Sequence, residues 1–254
     1  MAASLDVVII GSGTGTPSIS RASPAIGVIL PTKRYLLDTG PGTLRKMLEM
    51  GFTYLNVHGL FYTHTHIDHV SDLGPFLFTC KYEAKPRTEP LLIGGPRGFA
   101  DFYEKLRTLY GNQVDSDKYT LTVQEFDASQ MQFEDFRIIT LPLIHMVPCV
   151  GYRIETEGGK TLVYSGDTGY CENIVKLAKG ADLLILESAL PQNYKVEGHL
   201  TPREAGRIAR EAGVKRLVLC HIYPVCERFD ILGECSKEFR GRTELAKDLM
   251  RIRV

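Results

Sequence analysis

The chain has 254 residues, 44% hydrophobic and 24% charged, with 30 Lys and Arg against 30 Asp and Glu and hence zero formal net charge. Such a length suits one large domain or two modest ones with a real core. The charge balance argues against a protein that lives by general attraction to polyanions, and no run approaches the roughly 20 apolar residues of a membrane span.

In chain order, residues 7–10 (Val-Val-Ile-Ile) read as a buried strand. The run Gly11-Ser-Gly-Thr-Gly-Thr-Pro17 lacks a G-K-[S/T] ending, and Pro17 and Pro24 stop a helix from starting there. It is therefore a glycine-rich loop bordering a site. Residues 25–30 and 35–38 make a hairpin whose second strand ends at Asp38, placed to brace a neighbouring loop. Leu44, Met47 and Leu48 line a short helix closed by Gly51. A buried strand at 60–62 precedes a helix over 70–82 that Gly74-Pro75 should kink or restart. A strand at 91–93 and a helix over 98–110 follow, the helix with Phe99, Phe102, Leu106 and Leu109 on its core stripe.

The second half repeats this grammar, with strands near 119–124, 136–141, 149–155, 160–165 and 183–186 and a short helix near 171–178. Thr201-Pro-Arg-Glu204 is a capping box, and its helix buries Ala205, Ile208, Ala209 and Ala212 before Gly213. A strand at 218–219 and a last helix over 245–252 complete the chain. Two halves of similar size without a low-complexity linker suggest one domain, two sheets packed face to face with helices outside. Residues 1–6 have no basic n-region, so no secretion signal is expected. The cysteines at 80, 149, 171, 220, 226 and 235 form no Cys-x-x-Cys and read as reduced thiols of a cytoplasmic protein.

The chemistry concentrates in His64-Thr-His66-Ile-Asp68-His69, directly after the strand at 60–62. Three imidazoles and a carboxylate within six residues suit a borderline-soft divalent ion far better than a solvated turn. In an extended segment His64 and His66 leave on one face, whereas Asp68 and His69 diverge unless the chain turns sharply. One loop can thus feed two metal positions. His145, Asp167 and His221 each end an apolar strand, where loops gather at one rim.

The pattern H-x-H-x-D-H resembles the signature of the metallo-β-lactamase superfamily. The resemblance implies an α+β, αββα four-layer sandwich over residues 1–254. It implies two divalent ions, zinc first, with manganese or iron also fitting. One would be held by His64, His66 and His145 and the other by Asp68, His69 and His221, with Asp167 bridging. Two close ions repel; a bridging carboxylate and hydroxide reduce that cost, and the pair lowers the pKa of shared water to give a nucleophile near neutral pH.

Three further stretches resemble the ribonuclease Z branch. They are the opening glycine-proline loop with Arg21 and Ser23, the segment Asp182-Leu-Leu-Ile-Leu-Glu187-Ser-Ala, and Gly198-His199-Leu-Thr201. The branch implies that His199 protonates the leaving alkoxide with Glu187 orienting its ring; with Asp68, these are the candidate catalytic residues. Dimers are usual in the branch. The departures are equally specific. Only 21 residues separate His145 from Asp167, where tRNA-processing members carry a long arm. The opening loop lacks the family's lysine and asparagine, and the tail His221-Ile-Tyr-Pro lacks its arginine-tyrosine pair. These losses point away from tRNA and toward a small phosphodiester. Lactone, thioester or sulfate-ester hydrolysis, tRNA 3′ processing and a non-catalytic metal module are the competing readings.

Overall fold

The computed structural model describes residues 5–254; residues 1–4, part of the opening read for a secretion signal, lie outside the described residues. The first half runs β1 (Asp6–Gly11), β2 (Ala25–Ile29), β3 (Arg34–Leu37), α1 (Thr43–Glu49), β4 (Gly59–Phe61), α2 (Ile67–Val70), α3 (Leu73–Tyr82), β5 (Leu91–Pro96), α4 (Phe99–Tyr110) and β6 (Leu121–Phe126). The second runs β7 (Ser129–Gln132), β8 (Phe136–Pro142), β9 (Val150–Thr156), β10 (Thr161–Tyr164), α5 (Glu172–Ala178), β11 (Leu183–Glu187), α6 (Pro202–Ala212), β12 (Arg216–Cys220), α7 (Ile231–Ser236), β13 (Arg242–Leu245) and β14 (Met250–Arg253).

The strands form two seven-stranded mixed sheets, ordered β14-β1-β2-β3-β4-β5-β6 and β13-β12-β11-β10-β9-β8-β7. Strand alternation explains why the central strands read as unbroken apolar runs. Val7 and Ile9 join Phe61, Tyr152, Ile185 and Val218 between the sheets. Val8 and Ile10 face the other way and pack with Met47, Phe76 and Phe99 of the helices. Across the molecule Leu184, Leu186, Leu217 and Leu219 do the same against Ile174, Ile208 and Ala209. The result is helix, sheet, sheet, helix. The parallel strands β3 to β6 and β10 to β13 end toward loops that bear the site.

Several expectations need correction. Residues 245–252 do not form a helix. Leu249 has φ 62, and β14 pairs antiparallel with β1, Val7 opposite Ile252 and Ile9 opposite Met250. The long-range pairing with β1 overrides the local helical pattern. In α4 the buried pair is Phe99 and Tyr103, four residues apart, while Leu109 is 73% exposed. In α1 Thr43 and Met47 are buried and Leu48 is exposed. The helix expected over 70–82 is two, and its restart comes ahead of Gly74-Pro75, so Pro75 falls in the first turn of α3, where its missing N–H costs nothing. The capping box at Thr201 forms as expected, with Gly213 left-handed at the far end.

Candidate metal centre

Past β4 the chain runs extended through Thr63 to His66 and then turns into α2, with His66 as the residue that caps it. The extended part keeps His64 and His66 together, while the helical turn carries Asp68 and His69 to the neighbouring position. Loops after β8, β10 and β12 bring in His145, Asp167 and His221. Three overlapping clusters result. His64, His66, His145 and Asp167 form one, Asp68, His69 and His221 a second, and Asp167, His199 and His221 a third, each offering donor atoms within 4.8 Å of one another. Asp167 touches the first two: its Oδ2 is 3.8 Å from His64 Nε2, and its Oδ1 is 3.3 Å from His69 Nε2 and 3.2 Å from His221 Nε2.

Outer partners fix which nitrogen of three of the rings faces inward. His69 Nδ1 donates to Asp38 Oδ2 at 2.9 Å, and His145 Nδ1 donates to the Gly198 carbonyl at 2.9 Å. Thr63 Oγ1 lies 3.0 Å from His64 Nδ1 and donates to Asp38 Oδ2 at 2.9 Å, so it accepts the ring proton. Each of these rings therefore presents Nε2 to the centre. Asp38 is buried and also accepts from the Thr63 backbone and Tyr164 Oη, each at 2.8 Å. Its expected bracing role is met. Asp38 and His221 have φ 58 and 55, left-handed values that a non-glycine residue rarely keeps without a functional reason.

The fit to cations can be tested on the side chains alone. Nε2 of His64, His69 and His221 and Oδ1 of Asp167 are buried without a hydrogen-bond partner among the described residues. Each such orphan costs about 1–3 kcal/mol, a cost that coordination removes. His66 Nδ1 and His145 Nε2 point at one another 3.1 Å apart, as two lone pairs do when they share a positive ion. Burial holds His64, His66 and His145 below the ordinary imidazole range, in the neutral form that ligates. Burial would do the same to His69, but Asp167 and Asp38 outweigh it and raise that ring well above the usual value. Burial would raise Asp167, yet His221 and His69 hold its carboxyl well below the usual range. Burial would raise Asp68 as well, but the adjacent His221 and His69 rings outweigh it and lower its carboxyl. These residues fit divalent ions.

His199 belongs to neither of the first two clusters but shares the third with Asp167 and His221. Its Nδ1 is 3.0 Å from Glu187 Oε1 and 4.0 Å from Asp167 Oδ2. Burial would lower its pKa, but the bonded Glu187 carboxylate wins and raises it. Glu187 is raised by its own burial. The pair thus holds a proton between them. Glu187 also accepts backbone N–H groups from Thr168 (2.7 Å) and Leu200 (3.0 Å). The glycine-rich loop borders the centre as expected: a methyl on Gly15 would come within 3.2 Å of Asp68 Cβ. Sequence reasoning missed Thr63, whose only signal is its place inside the histidine motif, and Tyr164, which has none. It also missed Asp248, whose carboxylate accepts Ser12 N–H at 2.9 Å and Ala22 N–H at 2.7 Å and so ties the loop to the chain end.

The sequence model described as a beta-lactamase superfamily domain matches residues 33–222. The chain belongs to the metallo-β-lactamase superfamily. Ribonuclease Z of Mycobacterium bovis (strain BCG / Pasteur 1173P2) is 30% identical over 280 residues, covering 98% of each chain. The crystal structure of the metallo-beta-lactamase fold protein YhfI from Bacillus subtilis is 26% identical with a TM-score of 0.87, covering 99% of this chain and 100% of that one. The short form of human tRNase Z is likewise 26% identical, with a TM-score of 0.79 over 97% of this chain and 98% of its own. Within the superfamily the chain is thus ribonuclease Z-like, and it is a metal-dependent hydrolase. The 280-residue match to the ribonuclease exceeds the 254 residues here, so that relative carries segments this chain lacks.

Proposed function

We propose that the chain, as a single domain over residues 1–254, hydrolyses a small phosphodiester at a centre of two divalent ions. His64, His66 and His145 would hold one ion, Asp68, His69 and His221 the other, with Asp167 shared. An imidazole-rich shell favours zinc, and manganese or iron is compatible. Two such ions, when bound, neutralise phosphoryl charge and lower the pKa of water toward neutrality.

The remaining work falls to side chains. Asp38 and Thr63 hold His69 and His64 in their ligating tautomers. His199 keeps Nδ1 on Glu187, which leaves Nε2 as the ring nitrogen free to transfer a proton. In hydrolysis a water oxygen bonds to phosphorus, the ester P–O bond breaks, and the departing alkoxide needs a proton. His199 would supply it and recover the one released by water. Glu187 acts through that ring, as a positioning residue.

The observation that carries this reading is the 3.0 Å Glu187–His199 pair held beside Asp167. An acid next to the metal cluster is most useful where the leaving group is a poor one, as an alkoxide is. A small substrate rather than tRNA is supported by the connection from His145 to Asp167. It is filled by β9, a turn at 157–160 and β10, with no protruding arm. The six free thiols suit the reducing cytoplasm, where we place the protein. The test is a panel of nitrophenyl phosphodiester, phosphomonoester, sulfate ester and a lactone, with zinc or manganese added. The diester should turn over fastest; faster lactone or sulfate hydrolysis would replace this reading with that one.

A further inference from the structure

Four large apolar side chains stand in water on the segments that carry or adjoin residues of the candidate centre. Ile67, 77% exposed, lies between His66 and Asp68. Ile144 and Met146, 54% and 78% exposed, flank His145. Val196 is 48% exposed, and its carbonyl accepts the backbone N–H of His199 at 3.3 Å. The loops touch: a methyl on Gly198 would come 3.2 Å from His145 Nδ1 and 3.7 Å from Met146 Cγ. Single exposed apolar residues are ordinary, but several of them on the segments that build one site mark a binding surface.

Charge on these loops points the same way. Residues 63–72 and 143–149 contain no lysine or arginine, and the other two loops bordering the centre contain one cation each. Arg21 spends Nη1 on Ser12 Oγ and the Ala246 carbonyl. Lys195 closes on both oxygens of Glu204, at 2.8 and 2.7 Å. Lys195 is thus not free to grip a second phosphate, as a polynucleotide backbone requires.

We infer that this collar selects the substrate: the phosphodiester carries an alkyl or aryl arm on one ester oxygen, which lies on Ile67, Ile144 and Met146 while the phosphorus sits over the metal cluster. The inference rests on the phosphodiester reading and is tested separately from it. Equilibrium binding of n-hexyl phosphate and methyl phosphate to the metal-loaded protein would be measured by calorimetry. In parallel, hydrolysis of n-hexyl, methyl and thymidine 5′ p-nitrophenyl phosphodiesters, which share one leaving group, would be compared.

Each methylene fully removed from water multiplies affinity by about four, so half-covering five added methylenes gives about a 30-fold preference for hexyl over methyl in both assays. The Ile144→Ser, Met146→Ser double variant should bring that ratio down to a few-fold, and Met146→Leu should retain it; both sites are exposed, so folding is not at stake. Equal binding of the two phosphates, or a preference for the thymidine arm, overturns the collar. So does a dimer, seen by sedimentation, that the double variant dissociates, since the collar is then a subunit interface. Tighter hexyl phosphate binding without hydrolysis of any diester supports the collar and removes the diesterase reading instead.

Discussion

Glu187 is buried, and every group it meets is a donor: Thr168 N–H and His199 Nδ1–H on Oε1, Leu200 N–H and Ala189 N–H on Oε2. An amide in its place would aim NH2 at N–H groups. Glu187→Gln should therefore cost about 1–3 kcal/mol of stability, read from denaturant midpoints. It should also alter the pH profile. The Glu187 carboxylate overcomes burial to raise the His199 pKa, so the imidazolium persists to higher pH and is lost as pH rises through that value. Removing the anion moves the basic limb of kcat to lower pH. An unmoved basic limb would mean that His199 does not donate the proton. A sharper probe of the same ring is His199→Ala. Turnover of alkyl esters should fall by roughly 10²–10⁴-fold, nitrophenyl esters should lose far less, and bound metal should be unchanged. Equal losses for both substrates would reduce His199 to a substrate contact.

At the scale of elements, Asp38 at the end of β3 is a junction: it fastens Thr63 after β4, His69 in α2 and Tyr164 in β10 to one carboxylate. Asparagine tolerates its left-handed backbone, so Asp38→Asn isolates the lost charge and acceptor. Metal affinity should drop about 10–100-fold, measured by competition with a chromophoric chelator; undiminished affinity would make Asp38 a fold residue only. This junction was readable from Leu37-Asp38-Thr39-Gly40 because a carboxylate ending a buried strand has few other purposes. That the candidate ligands converge was readable for a related reason: short apolar runs declare their strands, and the His64–His69 motif, His145, Asp167 and His221 each follow one. The end of the chain was not readable. Nothing local in residues 245–254 distinguishes a helix from two strands; the decision is made by β1 and β12, which lie more than twenty residues away in sequence and supply the pairing. The polar strand β7 was missed because only its pairing with β8 makes it a strand. Leu109 and Leu48 were placed in the core by helical spacing, which cannot show how wide a face the sheet covers.

For the whole molecule, the proposed metal centre would pin loops from both sheets, His64 and His69 from the first and His145, Asp167 and His221 from the second. Chelation should therefore loosen the contact between sheets as well as the site. With each ion at about 1,000 times its dissociation constant the linkage is about 4 kcal/mol per ion, so removing both should lower Tm by roughly 20 °C for a chain of this size. A Tm indifferent to chelator would place the ions elsewhere.

The same architecture bears on RNA. Ribonuclease Z and the short human tRNase Z are similar in sequence and fold, and their names make RNA the natural first substrate to try. Two features of this chain oppose it. The formal net charge is zero, and the stretch between His145 and Asp167 is spent on a plain hairpin, which supports the proposal of a small substrate. Precursor tRNA should be cut slowly or not at all under conditions where a nitrophenyl phosphodiester turns over. Any residual cutting should depend weakly on salt, because few phosphate contacts release few counterions. Rapid cleavage at the discriminator position that collapses between 50 and 200 mM salt would show the opposite: a basic surface assembled by means other than an arm, and a tRNA-processing enzyme.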